Sequence, residues 1–344
     1  MAAAISAAAG TLEAAGKNAR VLAARIEQHG PPENVKVVEI PAPVPKADEA
    51  LVRVEAAGIN PSDVLSAAGG FPGTTLPRTL GRDFAGVVLE GPQEWVGRKV
   101  WGAGGGDFGM VRDGTHAELL AVPLDALAAR PSTLSAVQAA ACGIPFITAW
   151  LSLHHRAHLR EGDWVAVSGA AGAVGRAALS IAAAACAQAI ALVRDGTQKA
   201  DLQRSNAAAA VITPEDDPRA RIDEATKGHG CDIAFNAIGA AVFGDLLATL
   251  APFGRMILIS GIAGRDISFD VMDLYRRDRT LTGVNTGSLH AGDSARMLAE
   301  MSPLFESGKL TPLPIGQTFN LRDATAAYVK AAQGTSAKIV LQMR

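Results

Sequence analysis

The twelve residues Trp164–Gly175, WVAVSGAAGAVG, constrain this chain more than any others. Trp164 to Ser168 are mostly apolar and partly β-branched, a pattern that predicts a buried strand. Gly169, Gly172 and Gly175 then clear side chains from a turn, and the apolar stretch Ala177–Ala185 predicts a helix behind it. A strand, a turn of small residues and a helix make a seat for a pyrophosphate. The first helical N–H groups and the positive dipole end face it, and missing Cβ atoms let the backbone close on the phosphates. The hexad is Ala170-Ala171-Gly172-Ala173-Val174-Gly175, a G-x-G-x-x-G pattern with alanine at its first glycine. Such a motif alone is weak. Its place between a strand and a helix, with the strand AIALV following at 189–193, makes it a dinucleotide fingerprint.

The rest of the chain arranges itself around that turn. Before it, VLAARIEQ, ALVRV at 50–54, FAGVVLE at 84–90 and AELLAVP at 117–123 are short, partly alternating strand patterns separated by Gly and Pro. They predict an all-β unit with one buried face. Ala136–Leu153 reads as an apolar, Ala-rich helix, with Pro145 as a kink or boundary. After Trp164, strands alternate with helical stretches: AIALV, AAVI at 209–212, DIAFNAI at 232–238, RMILIS at 255–260 and LTGV at 281–284. This predicts a parallel sheet with right-handed crossovers. The final AKIVLQM is again a strand pattern and is expected to return to the N-terminal unit. The fold class is α/β, a doubly wound sheet with a β-rich partner.

Composition sets outer limits. At 344 residues the prior is two domains, and 49% apolar with 19% charged residues suits a folded globular chain. A net charge of −2 offers no long-range attraction for nucleic acid or an anionic membrane. Cys142, Cys186 and Cys231 are dispersed, which suits a reducing, cytoplasmic setting rather than a disulfide framework. No apolar run is expected to reach the roughly 20 residues of a membrane helix. Residues 1–19 begin Ala-rich without a basic n-region, so they are expected to form an extension outside the fold rather than a signal peptide.

Strand ends name the remaining cofactor candidates. An acid after the second strand bonds a ribose 2′-OH, and a cation takes a 2′-phosphate. Arg194 stands there with Lys199 five residues on, and Asp195 lies between. The two cations favour NADPH, because a phosphate gains charge-assisted bonds from them; ordinary solvated charges are the alternative. In a doubly wound sheet ligands lie outside the C-terminal strand ends. Asn236, Ala237 and Ile238, then Ser260, Gly261 and Ile262, then Val284, Asn285 and Thr286, are therefore expected to line the ribose and nicotinamide.

The segments AAGINPSD at 56–63, GRDFAGVV at 81–88, GTHAEL at 114–119, ITAWLSL at 147–153, the glycine turn and GTSAKIVL at 334–341 carry a resemblance. Together they resemble the medium-chain dehydrogenase/reductase superfamily, in its zinc-independent quinone oxidoreductase and enoyl reductase branch. The resemblance implies a GroES-like catalytic domain over 20–144 and 287–344, a Rossmann domain over 145–286, a cleft between them, and a homodimer. It implies catalytic roles for Asn60, Asp63 and Thr148. It places Thr148, Gly169, Ala171, Gly172, Ala173, Val174, Gly175 and Lys338 among the cofactor contacts. Each has a plainer alternative: Asn60 as an Asn-Pro turn residue, Thr148 bonding its own helix, Asp63 as a cap. Metal-dependent relatives carry a Cys in the Gly58-Ile59-Asn60 segment and a His at Arg82, so no metal is expected. His116 either bonds substrate or is structural, and His154 and His155 read as surface or cap residues.

Without zinc, an alkoxide lacks its Lewis acid. A quinone or α,β-unsaturated carbonyl instead spreads incoming charge onto its own oxygen, where hydrogen bonds suffice. The expected activity is NADPH-dependent hydride transfer to such an acceptor. Reduction of enoyl thioesters or enones is one alternative, and an NADPH-binding sensor with little turnover another. Relatives usually have a Tyr proton donor where this chain has Leu65 or Phe71. Its two tyrosines are Tyr275, a candidate to approach the cleft, and Tyr328. The Gly-rich stretch Trp101–Thr115 reads either as a substrate-facing loop, with Phe108 and Met110 covering the acceptor and Arg112 reading a negative group, or as a flexible surface loop.

Overall fold

The structure is a computed structural model and describes residues 19–343 apart from Pro72, Asn206, Ile262 and Thr335. Residues 1–18 and Ile262 thus lie outside the described residues. The chain forms two compact units. One takes the described residues up to Ile144, Thr286–Glu306 and those from Pro312 onward; the other takes Pro145–Asn285 and Ser307–Thr311.

The first unit is built on strands β1 Arg20–Ile26, β2 Lys36–Pro41, β3 Glu49–Ile59, β4 Arg78–Thr79, β5 Asp83–Glu90, β6 Lys99–Ala103, β7 Leu119–Pro123 and β8 Ala128–Ala129. The tail adds Ile315–Asn320 and Lys338–Gln342, and the second of these pairs antiparallel with β3, as its apolar pattern predicts. Ile339 opposes Ile59, a register that brings Lys338 beside Asn60. β3 also pairs with β5 and β7, so it is buried nearly end to end. Phe84, Phe108, Val88 and Leu120 pack one core beneath it; Ile59, Leu80, Tyr328 and Leu341 pack another. Helix α1, Pro61–Ala67, starts where Asn60 leaves β3, with Pro61 at its first position, where no N–H is needed.

The second unit holds six parallel strands, β9 Trp164–Ser168, β10 Gln188–Leu192, β11 Ala210–Ile212, β12 Cys231–Asn236, β13 Leu250–Leu258 and β14 Thr280–Gly283, in the order β11-β10-β9-β12-β13-β14. Counted from the first strand this is 3-2-1-4-5-6, the dinucleotide-binding order. The register aligns Ser168 with Leu192, Asn236 with Leu258 and Leu258 with Gly283, so all these strands end along one edge.

Three local expectations are corrected. Helix α2, Ala136–Trp150, runs through Pro145 and continues as a π-helical turn over Leu151–Arg156. Residues 136–156 are thus one helix long and apolar enough to cross a membrane by length and composition; its most apolar stretch is 83% buried in the protein, as in a core helix. The Gly-rich stretch begins inside β6, and Phe108 is fully buried edge-on to Phe84. Met110 is buried too, and Arg112 pairs with Glu49 at 2.6 Å and donates to the Ala121 carbonyl. None of these three side chains is left over to meet a substrate. Apolar area outweighs loop entropy here, since Phe108 alone removes an entire ring from water.

Candidate functional site

In the second unit the candidate cofactor seat grows from β9. Gly169 takes φ +63°, which only glycine adopts without strain, and turns the chain under the start of helix α3, Ala173–Ala184. Gly172 caps that helix and donates its N–H to the Gly169 carbonyl at 2.9 Å. A Cβ on Gly175 would lie 2.3 Å from the Gly169 oxygen, so only glycine lets the helix close on the turn. Ala170, at the first glycine of the pattern, is wholly buried and donates to the Leu192 carbonyl at 3.2 Å. The helix begins earlier than its apolar stretch predicts, with Ala173 and Val174 in its first turn. Arg176, which the glycine pattern does not single out, donates to the Ala171 carbonyl at 2.9 Å and pairs with Asp201, holding the turn in shape. Its place one residue after the last glycine was the available signal.

Along the strand ends the side chains are partly committed. Asn236 is fully buried; its Oδ1 accepts the Ile238 and Gly239 N–H groups at 3.0 and 2.8 Å, and its Nδ2 donates to the Gly239 carbonyl. Its amide builds the turn, and the Ile238 carbonyl accepts the Ala263 N–H at 3.1 Å. Ser168 Oγ accepts the Ala237 N–H at 3.1 Å. Ser260 and Gly261 follow β13, and Val284 donates to the Leu258 carbonyl. Arg194 is exposed, with its Nε 3.3 Å from Asp195. Asp195 accepts the Gln198 N–H at 3.0 Å, which holds its carboxyl below the ordinary range. Lys199 is committed to Asp216 at 2.7 Å, so the pair of cations expected at this strand end reduces to Arg194. Thr148 is buried in α2 within this second unit.

The first unit holds a buried polar cluster of its own. Asn60 Nδ2 donates to Asp83 Oδ2 at 2.8 Å, and the Lys338 ammonium donates to Asn60 Oδ1. Lys338 Nζ also lies 3.7 Å from Asp83 Oδ2, closing a triangle. Asp83 Oδ1 accepts the Ile144 N–H at 2.7 Å, and Gly143 leaves the room, since a Cβ there would sit 2.4 Å from that oxygen. Asp63 accepts the Asn60 backbone N–H at 2.7 Å as part of a capping box at the start of α1, and its carboxyl also faces the Asn60 side chain. Arg82 donates through Nε to Gly105 O at 2.7 Å, through Nη1 to Ser62 Oγ at 3.1 Å and through Nη2 to Thr286 Oγ1 at 3.4 Å. All five of these polar side chains are over nine-tenths buried. Burial pushes the Asp63 and Asp83 carboxyls up and the Lys338 and Arg82 cations down. The two carboxylates and two cations resist this by compensating one another.

Lys338 is therefore spent inside this cluster, in the unit that does not hold the glycine turn. His116 is structural: its Nε2 faces the Gly58 carbonyl at 3.2 Å and its Nδ1 the Tyr328 hydroxyl at 2.9 Å. Tyr275 is exposed on the helix Val271–Arg276. Leu65 is exposed on α1. His154 stacks on Trp150 with centroids 3.9 Å apart, and His155 is exposed.

The residues around Asn60 do not fit a zinc ion. Both carboxylates there face a guanidinium or an ammonium, and among the described residues no three His, Cys, Asp or Glu side chains form a metal-binding group. Cys142 is buried nearby with its thiol pushed up to about 12 by desolvation, far from the thiolate a metal requires. The glycine turn does fit a dinucleotide: a helix N-terminus, a cradle any Cβ would fill and backbone at the strand ends.

A β-rich unit and a parallel sheet in the 3-2-1-4-5-6 order define a two-domain dinucleotide-dependent oxidoreductase. Residues 46–132 match the alcohol dehydrogenase GroES-like domain family, and 173–305 the zinc-binding dehydrogenase family. The zinc-type alcohol dehydrogenase-like protein of Schizosaccharomyces pombe is 35% identical over 314 residues, covering 90% of this chain and 92% of that one. The quinone oxidoreductase of Lama guanicoe is 27% identical over 331 residues, covering 94% and 97%. Among solved structures, an alcohol dehydrogenase superfamily protein from Novosphingobium aromaticivorans is 30% identical, with a TM-score of 0.83 over 94% of this chain and 100% of that one. The chain belongs to the medium-chain dehydrogenase/reductase superfamily, in its quinone oxidoreductase-like branch. It has the GroES-like and Rossmann folds, and membership implies a nicotinamide cofactor.

Proposed function

We propose that the chain is an NADPH-dependent, zinc-independent reductase acting on a quinone or another α,β-unsaturated carbonyl acceptor. The observation that carries this reading is the buried cluster itself: its two carboxylates, Asp63 and Asp83, are engaged by Asn60, Lys338 and Arg82 rather than left to hold a metal. Such a cluster supplies N–H donors to an oxyanion, each worth roughly 3–4 kcal/mol when well placed. That suits an acceptor whose own conjugated carbonyl takes up the charge. When bound, the nicotinamide supplies the hydride. The turn at Gly169, Ala171, Gly172, Ala173, Val174 and Gly175 holds the pyrophosphate, and the exposed Arg194 guanidinium meets the 2′-phosphate. Neither Leu65 nor Phe71 can donate a proton, and the Tyr328 hydroxyl is taken by His116, so water protonates the product. Asn60, with Asp63 fixing its backbone, works at the acceptor end, and Thr148 at the nicotinamide end. The resemblance supports a homodimer, and the dispersed cysteines a cytoplasmic setting.

The test is oxidation of NADPH and NADH with an ortho-naphthoquinone, an enone and an enoyl thioester, with and without a chelator. Quinone or enone turnover that prefers NADPH and ignores the chelator is expected. Arg194→Glu is expected to raise the KM for NADPH by roughly 10–100-fold, the worth of a charge-assisted bond, and to spare NADH. Binding of NADPH without turnover on any acceptor would overturn the reading, as would loss of activity to the chelator.

A further inference from the structure

An Asn amide presents an oxygen and a nitrogen of nearly equal size, and only its partners decide which way it points. At Asn60 both ends have charged partners. The nitrogen donates to Asp83 Oδ2 at 2.8 Å, and the oxygen accepts from the Lys338 ammonium. A flipped amide would set its oxygen against a carboxylate and its NH2 against an ammonium. Both charge-assisted bonds would become repulsions, a preference of roughly a hundredfold or more for the observed state. The partners are themselves fixed. Asp83 is pinned through its other oxygen by the Ile144 N–H, and Lys338 by the pairing of Ile339 with Ile59.

We infer that Lys338 and Asp83 are positioning residues that hold the Asn60 amide in one orientation, so that Asn60 meets an acceptor only as a hydrogen-bond donor. Its oxygen is occupied by a cation, and its NH2 group faces two carboxylates, Asp83 at 2.8 Å and Asp63. Charges of opposite sign at the two ends of an amide polarise it, which makes its NH2 group a stronger donor. A donor-only Asn suits an acceptor that gains negative charge on oxygen; the statement about the acceptor rests on the proposed function, the statement about the amide does not.

The lock depends on the Lys338 proton. Asp83, Asp63 and Cys142 face that ammonium, His116 lies within its field, and Arg82 stands beside both carboxylates. Burial holds Lys338 below the ordinary lysine value. Alkaline pH therefore removes the donor to Asn60 Oδ1 and releases the amide. Arginine keeps its proton throughout that range.

In the 15N-labelled full chain, the Asn60 side-chain NH2 signal is assigned by its loss in Asn60→Ala. It is expected to shift through one alkaline titration in the wild type and to stay flat in Lys338→Arg. A flat wild-type signal, or the same titration in Lys338→Arg, overturns the inference. With a quinone acceptor, kcat is expected to fall at alkaline pH in the wild type. In Lys338→Arg that limb is expected about one pH unit or more higher. Asn60→Ala is expected to lack the limb, so a limb that persists there also overturns it; this arm decides the matter if Lys338→Arg does not fold. Should no acceptor be turned over, the functional reading fails and the amide signal still tests the lock.

Discussion

The buried His116 carries the sharpest quantitative prediction. The Gly58 carbonyl, 3.2 Å from Nε2, can only accept, so the ring proton sits on Nε2. Nδ1 is then a bare lone pair and accepts from the Tyr328 hydroxyl at 2.9 Å. Both side chains are fully buried, and burial pushes the His116 pKa from 6.5 down to about 4. The folded protein therefore needs a neutral ring, while the unfolded chain takes up a proton near pH 6.5. The stability tied to this ring is whole above pH 6.5 and is lost as the pH falls toward 4. The gap is worth about 3 kcal/mol in full, and about 2 kcal/mol of it is gone by pH 5. Asp63 and Asp83 act in the opposite direction, because burial raises them and their contribution grows as acid protonates them. His116→Gln keeps a donor and an acceptor and removes the titration. Urea unfolding of wild type and variant at a series of pH values cancels the carboxylate terms in the difference. The wild-type advantage over His116→Gln is expected to shrink by about 2 kcal/mol between pH 7.5 and pH 5. Parallel curves, or an imidazole whose 15N signals show protonation near pH 6.5, would refute the reasoning.

Gly175→Ala is expected to weaken NADPH binding at least about tenfold, measured by fluorescence titration, and to cost about 1–3 kcal/mol in stability, because its Cβ would overlap the Gly169 oxygen. NADPH affinity unchanged would remove the glycine turn from the cofactor site. Arg112→Ala is expected to lower stability by about 2 kcal/mol and leave the ranking of neutral and anionic acceptors as it is, since Arg112 serves Glu49. Burial works to raise the Glu49 pKa, and the Lys46 N–H with Arg112 overrides it, so the carboxylate stays charged. A loss of anionic acceptors alone in that variant would restore Arg112 to the substrate side.

The sequence by itself determined the features that are local. The strand Trp164–Ser168, its glycine turn and the helix behind it are set by hydrophobic period and missing Cβ atoms within a dozen residues. The alternation of strands after it was legible for the same reason, and the apolar tail announced a strand that needed an edge. Weakly patterned strands such as Lys36–Pro41 and Ile315–Asn320, none of whose residues is buried, left no comparable mark. What tertiary structure decided is where charged and polar side chains are spent. Arg112 looked like a reader of anions until Glu49, 63 residues away in sequence, proved to hold it. Lys199 lost its freedom to Asp216, and Asn236 turned its amide inward to build a turn. Lys338 and Asn60 lie 278 residues apart, and nothing in either segment says that they share a hydrogen bond. Backbone turns are fixed by neighbours along the chain, whereas a buried charge is stable only beside a partner that the fold alone can bring to it.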